Sequence, residues 1–84
     1  MYTTYSTHAE DQLKERELSR ELADQILLNP MQVLESKKGR KIAQSIVKFE
    51  KKAFLIRVVY TERPDHYNVI TVYKTSRIKK YWRE

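Results

Sequence analysis

Eighty-four residues, 40% hydrophobic with nine aromatic rings and 33% charged, supply one small core and no room for a second, so 1–84 is read as a single domain. Cysteine is absent, which excludes disulfides and thiolate metal sites and fits a reducing cytoplasm. The net charge of +6 is uneven: residues 1–36 carry three basic and seven acidic side chains, residues 37–84 fourteen and four, so the second half attracts polyanions or an acidic protein.

Residues 1–6 are expected to be extended or frayed. No basic segment followed by an apolar run opens the chain, and no window approaches the roughly 20 apolar residues of a membrane span, so neither a signal peptide nor a transmembrane helix is expected. Thr7 and Glu10 fit a capping box that starts a helix at His8, with Ala9 and Leu13 on one face and Glu10 and Lys14 paired at i,i+4. Ser19 then caps a second helix, in which Leu22, Ala23, Ile26 and Leu27 form a core-facing stripe, and Asn29-Pro30 ends it.

From residue 31 the period changes to two. Strands are expected over 31–35, 40–49, 53–60 and 67–73 or 74, with turns at Lys37-Lys38-Gly39 and Glu50-Lys51-Lys52 and a polar loop around Pro64. The 53–60 segment is central, because Phe54, Leu55, Ile56, Val58 and Val59 are apolar on both faces and need cover on both. Residues 75–82 continue as a short helix or a strand edge. The expected fold is α+β: two N-terminal helices on one face of a four-stranded antiparallel meander, with a short C-terminal extension.

His8-Ala9, Arg16, Leu18-Ser19, Asn29-Pro30 with Val33, Lys38-Gly39-Arg40, Arg57-Val58-Val59 and residues 69–73 together resemble the family catalogued as domain of unknown function 4258, over about residues 6 to 74. Gln12 stands where that family often has Arg, and Glu17 where it often has Gly. The family is similar in layout to the RelE and ParE toxins and to small microbial ribonucleases. The resemblance implies a toxin-type RNA-binding domain, a metal-independent endoribonuclease that promotes attack of a 2′-hydroxyl on the adjacent phosphate. An acidic antitoxin would cover the same surface. The alternative is a non-catalytic module of the same fold that binds nucleic acid or protein, which Gln12 favours if the family Arg serves the chemistry.

His8, Arg57, Lys74, Arg77 and Tyr81 are the candidate catalytic residues: His8 as a neutral ring able to accept a proton from a ribose hydroxyl, the cations to stabilise a phosphorane. Arg16, Arg40, Lys41, Tyr73, Lys79, Lys80 and Trp82 are the candidate RNA contacts, since interleaved cations and rings suit phosphates and stacked bases. Each has a plainer reading: Arg57 paired with a helix carboxylate, Trp82 packed over the end of the core, His66 solvated in its loop. No cofactor or metal is expected; His8-Ala9-Glu10 matches half of a zinc-deaminase signature whose cysteine half is missing.

Overall fold

The segment with apolar residues on both faces becomes the middle strand of a five-stranded sheet, and the rest of the chain is arranged to cover it. The computed structural model describes residues 2–84. In order they form β1 (Tyr2–Tyr5), α1 (Thr7–Glu15), α2 (Arg20–Leu28), β2 (Gln32–Glu35), a 3-10 turn (Lys37–Gly39), β3 (Lys41–Phe49), β4 (Lys52–Glu62), β5 (His66–Thr75) and α3 (Ile78–Tyr81). The sheet order is β1-β5-β4-β3-β2. Strands β2 to β5 form the expected antiparallel meander.

The α+β class holds, but the four-stranded antiparallel sheet is corrected to a five-stranded mixed one. Tyr2–Tyr5 is an ordered edge strand, parallel to β5 from Tyr2 opposite His66 to Tyr5 opposite Val69. It is fixed by contacts more than sixty residues away: the Tyr2 ring stacks on His66 at 4.9 Å, and the Thr4 hydroxyl donates to Asn68 Oδ1 at 3.0 Å. A four-residue strand whose partner lies that far along the chain leaves no periodic trace in its own sequence.

Leaving β1, the chain turns into α1 at Ser6, one residue before the expected cap. Ser6 is still extended (φ −66°, ψ 160°), and its hydroxyl accepts from the Ala9 amide and donates to the Ile70 carbonyl at 2.9 Å. Ile70 is the extra residue in the β4–β5 register, where Tyr60 faces Val69 and Val59 faces Thr71, so the cap also satisfies a bulge carbonyl. Further along, Gln12 Oε1 accepts from the Val72 amide at 2.9 Å, on the β5 edge beyond the end of β1. These bonds matter because α1 buries only Ala9 and Leu13, an apolar contribution of about 3 kcal/mol that leaves a nine-residue helix marginal.

Helix α1 ends in a Schellman turn: the Leu18 amide donates to Leu13 O at 2.8 Å and the Glu17 amide to Lys14 O at 3.2 Å, while Leu13 and Leu18 both enter the core. That geometry holds Glu17 at φ 55°. The position the family pattern often gives to Gly is therefore a left-handed one, and here a side chain bears the strain.

Helix α2 is capped by Ser19 and ends at Asn29, as expected. The core lies between the helices and one sheet face: Ala9, Leu13, Leu18, Ala23, Ile26 and Leu27 against Ala43, Ile56, Val58, Tyr60, Val69 and Val72. On the opposite face Leu55, Arg57 and Gln44 are also buried, and the cover there is the C-terminal segment. That segment leaves β5 at Thr75, turns through α3 and crosses the strands diagonally, reaching Arg57 on β4, Gln44 on β3 and Gln32 on β2. Among the described residues no helix is long and apolar enough to cross a membrane.

Candidate nucleic-acid interface

At one end of the sheet the two-residue turn between β3 and β4 carries Lys51, with Lys52 closing it opposite Phe49. β5 leaves the sheet at the same end, where Thr75 faces Leu55. This pairing brings Lys52 to Lys74, more than twenty residues later in the chain. Phe49 and Phe54 meet edge to face there at 5.8 Å between centroids. Lys74 Nζ lies 4.9 Å from both ring centres and Lys52 Nζ 5.3 Å from that of Phe54. Arg16, at the end of α1, completes an open recess with Glu17, Glu50 and these residues. Lys48 is exposed on the opposite sheet face and Arg77 two residues past the end of β5. Among the described residues the only lysine or arginine side chains within ion-pair distance of a carboxylate are Arg20, with Glu10, and Lys41, with Glu62. The cations around the recess are thus tied to no carboxylate and can replace counterions on a polyanion.

The second cluster lies on the other sheet face. Strand alternation turns Arg57 away from the core, and the facing residues in register are Gln44 on β3 and Tyr73 on β5. Arg57 Nε donates to Gln44 Oε1 at 2.9 Å, and Nη1 donates to the Tyr73 hydroxyl. The Tyr81 ring covers the guanidinium at 4.4 Å, with the Tyr73 ring at 5.4 Å. Gln44 Nε2 donates to Gln32 Oε1 at 2.8 Å and to the Tyr81 carbonyl at 3.2 Å, and Gln32 Nε2 donates to the Arg83 carbonyl. Arg57 is only 7% exposed, yet no carboxylate pairs with it. Of the two expected environments it takes the face away from the helices, without the salt bridge.

The sequence-derived candidates thus divide. Arg57, Tyr73 and Tyr81 come together, and Lys74 and Arg16 come together, but Lys74 faces the helix side of the sheet and Arg57 the opposite side. His8 is exposed in the first turn of α1, the helix packed on the core side, and among the described residues no hydrogen bond, ion pair or ring contact joins it to Arg57 or the tail. Arg40 and Lys41 begin β3 at the far end of the sheet, about 26 Å from Phe49 at the usual strand rise. Lys41 donates to Glu62 at 3.3 Å, and that hydrogen bond with the carboxylate charge raises its pKa. Arg77, Lys79 and Lys80 are exposed on the tail, and Trp82 is half-buried in a groove with Ile78 and Arg83. His66 sits between Asp65 and the Tyr2 ring, and its hydrogen bond lowers the Asp65 pKa.

Sequence reasoning missed Lys52, Phe49 and Phe54 on one face and Gln44 and Gln32 on the other. For the first group the signal was available: placing the turn at 50–52 and the last strand's end at 74 sets them side by side. Gln44 had a weaker one, a polar residue in phase with Arg57 across a hairpin. The family model described as domain of unknown function (DUF4258) matches residues 5–74, which take in the recess and Arg57 and stop short of the tail. No curated protein and no solved structure matches the chain.

Proposed function

The chain belongs to the domain of unknown function 4258 family, and from that premise we propose that it is an RNA-binding domain of the RelE/ParE-like toxin type. The observation that carries the reading is the recess of unpaired cations around the Phe49–Phe54 pair. Arg16, Lys52 and Lys74 line it and would hold phosphates of a single strand, beside an edge-to-face ring pair that a base could meet. Nothing in this arrangement reads a base edge, so binding is expected to be tolerant of sequence. A cytoplasmic location and an acidic protein partner, an antitoxin in a toxin–antitoxin pair, belong to the same proposal, because the partner would compete for the same cations. The test is a fluorescence-anisotropy titration with a labelled 12-nucleotide RNA across salt concentrations. A steep inverse dependence on salt, relieved by the acidic partner, supports the reading; salt-independent binding or none refutes it.

A second reading, a metal-independent endoribonuclease, is favoured by the Arg57–Tyr73–Tyr81 cluster. A guanidinium can stabilise a pentacoordinate phosphorane, and a tyrosine hydroxyl held against it can carry a proton. His8 is too isolated from this cluster to share one reacting phosphate with it. Expression in bacteria with growth and total RNA followed decides the matter: specific fragments that survive His8→Ala and vanish with Tyr73→Phe support cleavage at Arg57. Intact RNA and unimpaired growth leave a binding domain.

A further inference from the structure

We propose that Arg57, Gln44, Gln32 and Tyr73 form a binding site for a phosphate group, and that the C-terminal segment 76–84 lies across it as an internal stand-in for that ligand. The inference requires neither the basic recess nor cleavage of RNA, since the site lies on the opposite sheet face.

Three observations carry it. First, Arg57 is more than nine-tenths buried and its guanidinium has only neutral partners, Gln44 Oε1 on Nε and the Tyr73 hydroxyl on Nη1, with no hydrogen bond on Nη2. A buried cation without a counter-charge is unfavourable, and sequences that need only a packed face place an apolar side chain there. Second, the neighbouring donors point at the tail's main chain: Gln44 Nε2 at the Tyr81 carbonyl and Gln32 Nε2 at the Arg83 carbonyl. Carbonyl oxygens of the tail thus occupy acceptor positions on the amides of the two strands beyond Arg57, the places that oxygens of a phosphate would take with a full negative charge added. Third, the cover rests on few contacts: besides those two carbonyl bonds, the Arg83 amide donates to Gln32 Oε1 at 3.2 Å and the Tyr81 ring lies on Arg57. α3 is a single turn without a side-chain cap, and Arg77, Lys79, Lys80 and Arg83 on it are exposed. Displaced, the tail would stay tethered at Thr75 and keep its cations near an entering anion.

A phosphate suits the donor set better than a carboxylate does. Tyr73, Arg57, Gln44 and Gln32 stand side by side on the neighbouring strands β5, β4, β3 and β2, about 14 Å from first to last at the usual strand spacing, a row that the oxygens of linked phosphates can follow and the two oxygens of a carboxylate cannot span.

Trp82 is the only tryptophan and lies on the tail, so its emission reports displacement directly. The probe is inorganic pyrophosphate added to the full chain, with acetate as the carboxylate control. The expected result is a saturable red shift of Trp82 emission with pyrophosphate and none with acetate. Gln44→Glu supplies Arg57 with an internal carboxylate and should weaken pyrophosphate binding about tenfold or more. Arg57→Gln, checked for folding by its thermal midpoint, should abolish the response. No saturable shift in the parent chain, or an equal one in Gln44→Glu, overturns the proposal. RNA binding measured on the same proteins keeps the two readings apart: Gln44→Glu leaves the recess intact and should bind RNA with the parent salt dependence, whereas loss of RNA binding in both chains would sink the RNA reading alone.

Discussion

Replacing Arg16, Lys52 and Lys74 together by Gln removes three cations from the recess and leaves Phe49 and Phe54 in place. On a single strand each neutralised phosphate contributes about 0.7 to the slope of log affinity against log salt, so the triple variant should show a slope shallower by about 2. At 0.1 M salt one such contact is worth about fivefold, and three about a hundredfold, in affinity. The control is Lys37→Gln with Lys38→Gln, in the 3-10 turn at the other end of the sheet. The separation, about 26 Å along β3, is more than twice the screening length of roughly 8–10 Å at physiological salt, so this pair should change the slope little. Fluorescence anisotropy from 50 to 300 mM salt, a range set by the roughly 10 Å screening length near 0.1 M, reads both variants, with circular dichroism to confirm the fold. If the two variants shift the binding curve equally per charge removed, net charge rather than the recess governs binding and the assignment fails.

Glu17→Gly should raise stability by about 1 kcal/mol, because it relieves a left-handed side chain at the Schellman position and costs less in chain entropy than it gains. Urea denaturation would read this, and a loss of stability would mean that φ 55° is not strained there. Gln12→Leu should cost about 1–2 kcal/mol by leaving the Val72 amide without an acceptor. Faster hydrogen exchange at Val72 would mark the cause, and unchanged exchange would show that another acceptor takes over. The Tyr5 phenol is held above its ordinary range, first by burial and then by its hydrogen bond to the Asp24 carboxylate. A folded pKa above the unfolded one gives a contribution present in full below about pH 10 and lost as pH rises beyond it. Stability should therefore fall more steeply above that pH in the parent chain than in Tyr5→Phe; parallel curves would contradict it.

Several of these positions were legible from the sequence in kind and only partly in role. Gln12 and Glu17 stood out as departures from the family pattern. Their place came from the fold: Gln12 caps a strand edge and Glu17 occupies a left-handed turn. Arg57 showed itself as a charge inside the most apolar strand, and alternation fixed which face it took. Its lack of a counter-charge could not be read, because that depends on what the tail and the neighbouring strands bring to it. β1 was invisible for a related reason, since its partner is the last strand and local periodicity carries no record of so distant a pairing.

By itself the sequence determined the α+β class, both amphipathic helices, the four meander strands and the central place of residues 53–60. These follow from local periodicity and from short-range caps and turns, and each is set within a few residues. The tertiary structure alone decided the fifth, parallel strand and the path of the tail across the open face. It also divided one apparent basic-aromatic cluster into a solvent-facing recess and a buried arginine. A sheet has two faces, and residues one position apart in a strand lie on opposite sides of it: Lys74 and Tyr73 are adjacent in the chain, yet one meets the phenylalanine rings beside α1 and the other meets Arg57 under the tail.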